Sequence, residues 1–379
     1  MWQRNSGRGW MADLDDIQPP DQLEGAPHPR ETARLFGQEQ AEAAFLHAYN
    51  SGRLHHGWLI SGPRGVGKAT LAWKIARFLL ATPPDDGGMF AAPPPESLDI
   101  PEDHPVARRL RAGADGGLLV IRRGLDEKGK LQRDITVGVM RKLHGFFGLS
   151  APDGGRRVVI IDAADEMNAN AANALLKALE EPPEKAFLLL VAHQPSRLLP
   201  TIRSRCRDLR LMPLAGADFA GALEQAGVVE NSAALAQLSG GSVGAAVTLA
   251  QGGGAEIYAA LVQIFAGAPR VDRALALKLA ESVAGKANDT RFAMLLALYD
   301  LFMARLARAG ISGPPPEAVP GEAALFARLA PHDAAARAYA ALAQDLGARA
   351  RHGRAVNLDP AAVVLDMVLQ TEREARRFL

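Results

Sequence analysis

The stretch WLISGPRGVGKATLAWKIARFLL, Trp58 to Leu80, decides the fold. It opens as a short apolar run and turns through a glycine-rich loop. It then places Ala72, Ile75, Ala76 and Leu79 at i, i+3, i+4 and i+7, the spacing that gives a helix one apolar face. A strand, a tight loop and a covering helix make a βα unit. In the loop, Gly62-Pro63-Arg64-Gly65-Val66-Gly67-Lys68, the glycines let backbone amides curl toward phosphate oxygens. The helix N-terminus that follows favours the anion, and Lys68 can reach the outer phosphates. The next position ordinarily carries Ser or Thr, whose hydroxyl ligates Mg²⁺, and here it is Ala69. Thr70 comes one residue late, about 100° further around the helix, and cannot simply stand in.

Outward from this unit, apolar runs recur at Leu118 to Ile121, Val158 to Ile161 and Phe187 to Val191, with helical patterns between them. Runs that are apolar on both faces suit buried parallel strands with helices as crossovers. The third run ends in Asp162, where a phosphate-handling strand places its metal-holding carboxylate. The nucleotide-binding set predicted is therefore Gly62, Pro63, Arg64, Gly65, Val66, Gly67, Lys68, Ala69, Thr70 and Asp162. Residues 82–117 interrupt the alternation with Pro83-Pro84, Gly87-Gly88 and Pro93 to Pro95, an irregular excursion. Past residue 212 the chain turns Ala/Leu-rich and helical throughout. The Gly252 to Gly254 run reads as a hinge, Gly313 to Pro316 splits two helices, and Asp359-Pro360 gives an N-cap with proline at the first helical position.

At 379 residues the chain should form two or three packed units. The organisation predicted is a disordered extension 1–22, an α/β phosphate-loop domain 23–212, a helical domain 213–252 and a second helical domain 253–379. Met11 offers an alternative start. Lys+Arg 43 against Asp+Glu 42 gives a net charge of +1, too balanced for a whole-chain nucleic-acid or membrane footprint. The single cysteine, Cys206, excludes an internal disulfide and a multi-cysteine zinc site, so a reducing compartment, the cytoplasm, is expected. Apolar runs stay far short of the ~20 residues a spanning helix needs, and no membrane association is expected.

Three later stretches narrow the reading: Asn173-ALLKALEEPP to Pro183, Pro200-TIRSRC to Cys206 and Gly241-SVGAA to Ala246. With the phosphate loop, in this order, they resemble the bacterial clamp-loader branch of the AAA+ proteins. Within that branch the departures resemble members whose Walker sites have decayed while Ser204-Arg205-Cys206 is intact. The resemblance runs from about His28 to the C-terminal helices, ending in Asn357-Leu-Asp-Pro360. It implies an AAA+ core followed by a helical lid and a collar used for oligomerisation. In active relatives a Glu follows the strand-end Asp and polarises the attacking water, and this chain has Ala163. The sensor-2 arginine position is Gly244, and the zinc-module cysteines of many relatives are absent, so no zinc is expected. By the same resemblance Arg205 is an arginine finger directed at ATP on a neighbouring subunit, where an in-trans Arg is worth ~10³–10⁵ in rate in GTPase systems.

The function implied is a stator of the DNA polymerase III clamp loader, with its own hydrolysis lost and ATP binding weak or vestigial. Its partners would be the tau/gamma and delta subunits, the sliding clamp and, through the assembly, primed DNA. The alternative is an active tau/gamma-like ATPase in which Thr70 and Asp165 or Glu166 rescue the lost groups. An unrelated phosphate-loop kinase would leave the Ser-Arg-Cys motif unexplained. Gly240-Gly-Ser242-Val-Gly244 matches a hydrolase nucleophile pattern but follows a helical run instead of a strand, and reads as a helix stop and restart. His55-His56 reads as a packed or surface pair. Arg108-Arg109, Arg122-Arg123 and Arg156-Arg157 are candidates for DNA phosphates, but the preferred reading is scattered solvated pairs.

Overall fold

A computed structural model describes residues 21–32, 34–82, 93–126, 128–148 and 155–379. The chain divides into a unit ending at Gly227 and a unit Val228–Leu379. The expected extension 1–22 lies outside the described residues except for its last two, and so does the proline- and glycine-rich start of the 82–117 excursion.

The first unit is built on a five-stranded sheet: β1 (Gly57–Ser61), β2 (Leu118–Ile121), β3 (Arg157–Asp162), β4 (Ala186–Ala192) and β5 (Arg207–Arg210). Their spatial order is β2-β3-β4-β1-β5, every neighbouring pair parallel. All residues of β1 and β4 are buried, which is why both read as unbroken apolar runs. The first four strands match the four runs read from the sequence. The fifth has no run because it is an edge strand in which only Leu209 is buried, between Arg207, Asp208 and Arg210.

Helices α1 (Glu39–Asn50), α2 (Lys68–Ala81), α3 (Pro105–Arg111), α4 (Val137–Gly148), α5 (Ala169–Glu180), α6 (Pro200–Arg203) and α7 (Gly216–Gln225) complete this unit. Leu71, Ala72, Ile75, Ala76 and Leu79 of α2 are buried, the face that the sequence spacing marks. The excursion is less irregular than its composition suggests: His104 Nδ1 accepts from the Val106 amide at 3.2 Å and starts α3. At seven residues, that helix is too short for periodicity to reveal.

The second unit is entirely helical: α8 (Ser232–Ser239), α9 (Val243–Gln251), α10 (Gly254–Ala266), α11 (Arg273–Glu281), α12 (Asp289–Ser312), α13 (Glu322–Leu329), α14 (Asp333–Ala355) and α15 (Pro360–Ala375). An α/β unit followed by an all-α one is thus the class read from the sequence. The unit boundary at 227 leaves α7 with the sheet and places α8 and α9 with the later helices. One core runs through this unit, from Tyr258, Phe265, Tyr299 and Phe302 to Phe326 and Met367. At its centre the carboxylate of Glu322 is fully buried. It accepts from Tyr258 Oη at 2.5 Å, Arg305 Nε at 2.7 Å, Arg305 Nη2 at 3.0 Å and the Ala318 amide at 2.6 Å. Among the described residues no single helix is long and apolar enough to cross a membrane.

Candidate functional site

The carboxyl ends of β1, β3 and β4 lie side by side, with Ser61 opposite Ala192 and Asp162 opposite Val191. In an open parallel sheet this is the edge at which loops gather to bind a ligand. The loop after β1 holds Gly62, Gly65 and Gly67 at φ 143°, 78° and 97°. A Cβ on Gly62 would sit 2.5 Å from the Leu211 carbonyl oxygen, so the position is closed to any side chain. Gln38 pins the loop from below, donating from Nε2 to the carbonyls of Val66 at 3.3 Å and Met212 at 2.8 Å. Lys68 is buried, and its Nζ donates back to the carbonyls of Gly62, at 2.8 Å, and Pro63. Burial pulls its pKa down to about 8 against the opposing pull of Asp162 and Asp165. The loop is thus shaped for a phosphate, with its lysine turned onto its own backbone.

The groups beside the loop are placed as follows. Ala69, the second residue of α2, carries no hydroxyl, and Thr70 lines a cavity of about 350 Å³ shared with Thr32, Leu35, Lys74, Arg77 and residues 98–102, to which no residue of Gly62 to Lys68 contributes. Asp162 ends β3 as expected, and burial, reinforced by the Asp21 charge, pushes its carboxyl up to about 7. Ala163 follows it, buried. Asp165 spends both oxygens on the turn after β4, accepting from the amides of His193 at 2.9 Å and Gln194 at 3.0 Å. Glu166 is paired with Arg64 at 3.1 Å and Arg123 at 2.9 Å. Among the described residues, then, the positions at Ala69 and Ala163 carry neither a hydroxyl nor a carboxylate, and the nearby carboxylates Asp165 and Glu166 are already bonded. Among the described residues no group of three His, Cys, Asp or Glu is placed to hold a metal ion.

Two neighbours of this edge escaped the sequence reading. His193 follows β4 directly, its Nδ1 buried without a hydrogen-bond partner, and burial beside Lys68 and Arg64 takes its pKa down to about 4. The position after the fourth apolar run was the signal for it. Asp21, from the segment before α1, is buried against Arg122 and His28, and only packing reveals it.

Arg205 lies elsewhere. It precedes β5, whose first residue Arg207 pairs with Trp58 near the start of β1, and a Cβ on Gly57 would lie 3.1 Å from the Arg205 carbonyl. The guanidinium thus belongs to the amino end of β1 and the phosphate loop to its carboxyl end, with four strand steps of about 3.3 Å each between. Its Nη2 meets Glu180 Oε1 at 2.8 Å and its Nη1 donates to the Thr201 carbonyl at 3.0 Å. Cys206 is a packed thiol whose pKa burial raises to about 12.

Other candidates resolve into structure. Ser242 caps α9, accepting from the Ala245 amide at 3.1 Å, so the nucleophile-like glycines are a helix stop and restart. His55 and His56 stack at 4.4 Å, and His56 holds the Leu179 carbonyl at 2.9 Å. Of the arginine pairs, Arg156 and Arg157 bind main-chain carbonyls of Leu79, Thr82, Phe146 and Phe147. Arg109 pairs with Asp115 at 2.8 Å, while Arg122 and Arg123 hold Asp21 and Glu166.

This arrangement, a phosphate loop and a Ser-Arg-Cys motif at opposite ends of the same strand, has similar sequences among known proteins. The sequence model for "DNA polymerase III, delta subunit" matches residues 37–215. Among relatives the likeness is to delta-prime: the DNA polymerase III subunit delta' of Pseudomonas aeruginosa is 41% identical over 162 residues, 43% of this chain and 44% of that one. The delta' subunit of Escherichia coli is 33% identical over 207 residues, 54% and 57% of the two chains. The gamma/tau subunit of Mycobacterium tuberculosis is 35% identical over 219 residues, 54% of this chain and 33% of that subunit. The chain spans about half the length of the delta-prime relatives it matches. The resemblance read from the motifs, to the delta-prime subunit of DNA polymerase III, is the one these relatives bear out.

Proposed function

We propose that this chain is the delta-prime stator of a DNA polymerase III clamp loader: it does not hydrolyse ATP and gives Arg205 to the ATP site of a neighbouring subunit. The observation that carries this reading is the placement of Arg205 at the opposite end of β1 from Lys68, where it cannot serve its own loop. A charge that neutralises a transferring γ-phosphoryl must sit against it, so a guanidinium so placed acts on another chain's nucleotide. The loss of the Mg²⁺ hydroxyl at Ala69 and of the carboxylate at Ala163 supports the same reading.

In this role the tau/gamma and delta subunits are its neighbours, the second unit serves as the collar contact, and the sliding clamp and primed DNA are met through the assembly. It works in the cytoplasm. ATP binding at its own loop is weak or vestigial, because Lys68 must leave two carbonyls to meet a phosphate, and no zinc is used. The active-ATPase alternative needs Thr70, Asp165 or Glu166, and each of these is turned away or already bonded.

Two measurements test the proposal. The isolated chain should show no ATP turnover above background with or without primed DNA, and DNA-stimulated hydrolysis by it would overturn the stator reading. In a reconstituted assembly Arg205→Ala should cut DNA-stimulated turnover by ten-fold or more, on the scale of a lost arginine finger; undiminished turnover would overturn the donation of Arg205.

A further inference from the structure

Arginine is long, and a guanidinium at a rim samples many rotamers unless something holds it. Arg205 is held, and by a carboxylate that has no other partner among the described residues. Its Nη2 lies 2.8 Å from Glu180 Oε1 in an ion pair and its Nη1 donates to the Thr201 carbonyl at 3.0 Å, which leaves most of the five guanidinium N–H donors unspent among the described residues. Both anchors are themselves fixed. Glu180 is the last residue of α5, and the carbonyl before it, of Leu179, accepts from His56 at 2.9 Å where the chain enters β1. Thr201 sits in α6, and the Arg205 amide donates to the Ile202 carbonyl at 3.1 Å, so the chain at Arg205 is tied to the same short helix.

We propose that Glu180 is the positioning residue for Arg205: its ion pair holds the guanidinium in place so that the unspent N–H donors are ready for the phosphoryl oxygens of a neighbour's nucleotide. The carboxylate suits this better than a second carbonyl would. Its charge draws the Nη2 side of the guanidinium while the Thr201 carbonyl holds Nη1, so the group is held at two points and not one. The pair is partly solvated, with Arg205 and Glu180 side chains 37% and 50% exposed, so its contribution is to orientation and little to stability.

This rests on Arg205 being the trans-acting arginine, and the test separates the two claims. DNA-stimulated ATP turnover is measured in the reconstituted assembly with its gamma/tau and delta partners, for the parent, Glu180→Gln, Glu180→Asp, Arg205→Ala and the combined E180Q/R205A chain. Glu180→Gln should lower kcat by roughly three- to tenfold, the fold-change expected when part of an arginine's rotamer freedom is restored, with KM for ATP unchanged. Glu180→Asp should recover part of the loss, the combined chain should be no slower than Arg205→Ala alone, and the melting temperature of each Glu180 variant should match the parent's. If Arg205→Ala slows turnover while both Glu180 variants match the parent, the positioning role is overturned and the arginine finger stands. A rise in KM alone, or a combined chain slower than Arg205→Ala, overturns the positioning role as well. If Arg205→Ala changes nothing, both claims fall.

Discussion

Asp165 is where catalytic and structural readings of this site give opposite results. As a rescue carboxylate it would matter to turnover and little to folding. The structure makes it a brace: its buried oxygens accept from the amides of His193 and Gln194 at 2.9 and 3.0 Å, tying the loop after β3 to the loop after β4. Hydrogen bonds to an ionised acceptor are worth about 1.5–3 kcal/mol each. Asp165→Asn keeps the shape but turns an amide donor toward one of the two N–H groups, so one bond is lost, one weakened and one buried donor orphaned. The expected cost is about 2–3 kcal/mol. For a unit of this size that lowers the melting temperature by about 5–10 °C. The assay is thermal unfolding followed by circular dichroism, beside ATP turnover by the isolated chain at 25 °C with and without primed DNA. The expectation is a clear drop in melting temperature and no change in a background-level turnover. A variant as stable as the parent, or a parent turnover that the substitution abolishes, would refute the argument.

Three further outcomes follow from single groups. Glu322→Ala leaves Arg305 buried without its partner and should destabilise the helical unit by about 3–5 kcal/mol, read from its denaturant midpoint; a loss under about 1 kcal/mol would mean the pair is not the core's centre. Thr70→Ala should leave ATP affinity, measured by calorimetry, unchanged because its side chain lines the separate cavity; a tenfold weakening would place it at the nucleotide. Burial raises the Cys206 pKa from 9.0 to about 12, so the folded state disfavours the thiolate: stability should be lost as pH climbs from 9 toward 12 and be untouched below 9, and Cys206→Ser should flatten that loss in alkaline melts. Rapid alkylation of Cys206 in the native chain at pH 8, seen by mass spectrometry, would contradict this.

The order of the elements, the phosphate loop, the missing hydroxyl at 69 and the missing carboxylate at 163 were legible in the sequence because each depends on local spacing. Apolar runs with both faces buried announce four strands, and glycines at positive φ announce the loop. Edge strand β5 gave no signal since one buried leucine among charges makes no pattern, and α3 was too short to show a period. The Glu180 carboxylate stood inside a quoted motif without a role, since nothing in the order of residues says that the end of α5 comes within 2.8 Å of Arg205.

What the sequence by itself determined is therefore chemical inventory: which groups exist, and which position next to the loop has lost its oxygen. Only the tertiary structure decided which of the remaining groups are free. Asp165 and Glu166 look like spare carboxylates on paper and are consumed by backbone amides and arginines in the fold, while Lys68 and Arg205 are assigned to opposite ends of one strand. The physical reason is that hydrogen-bonding capacity is shared out among neighbours in space, and a buried polar group takes whichever partner packing brings to it.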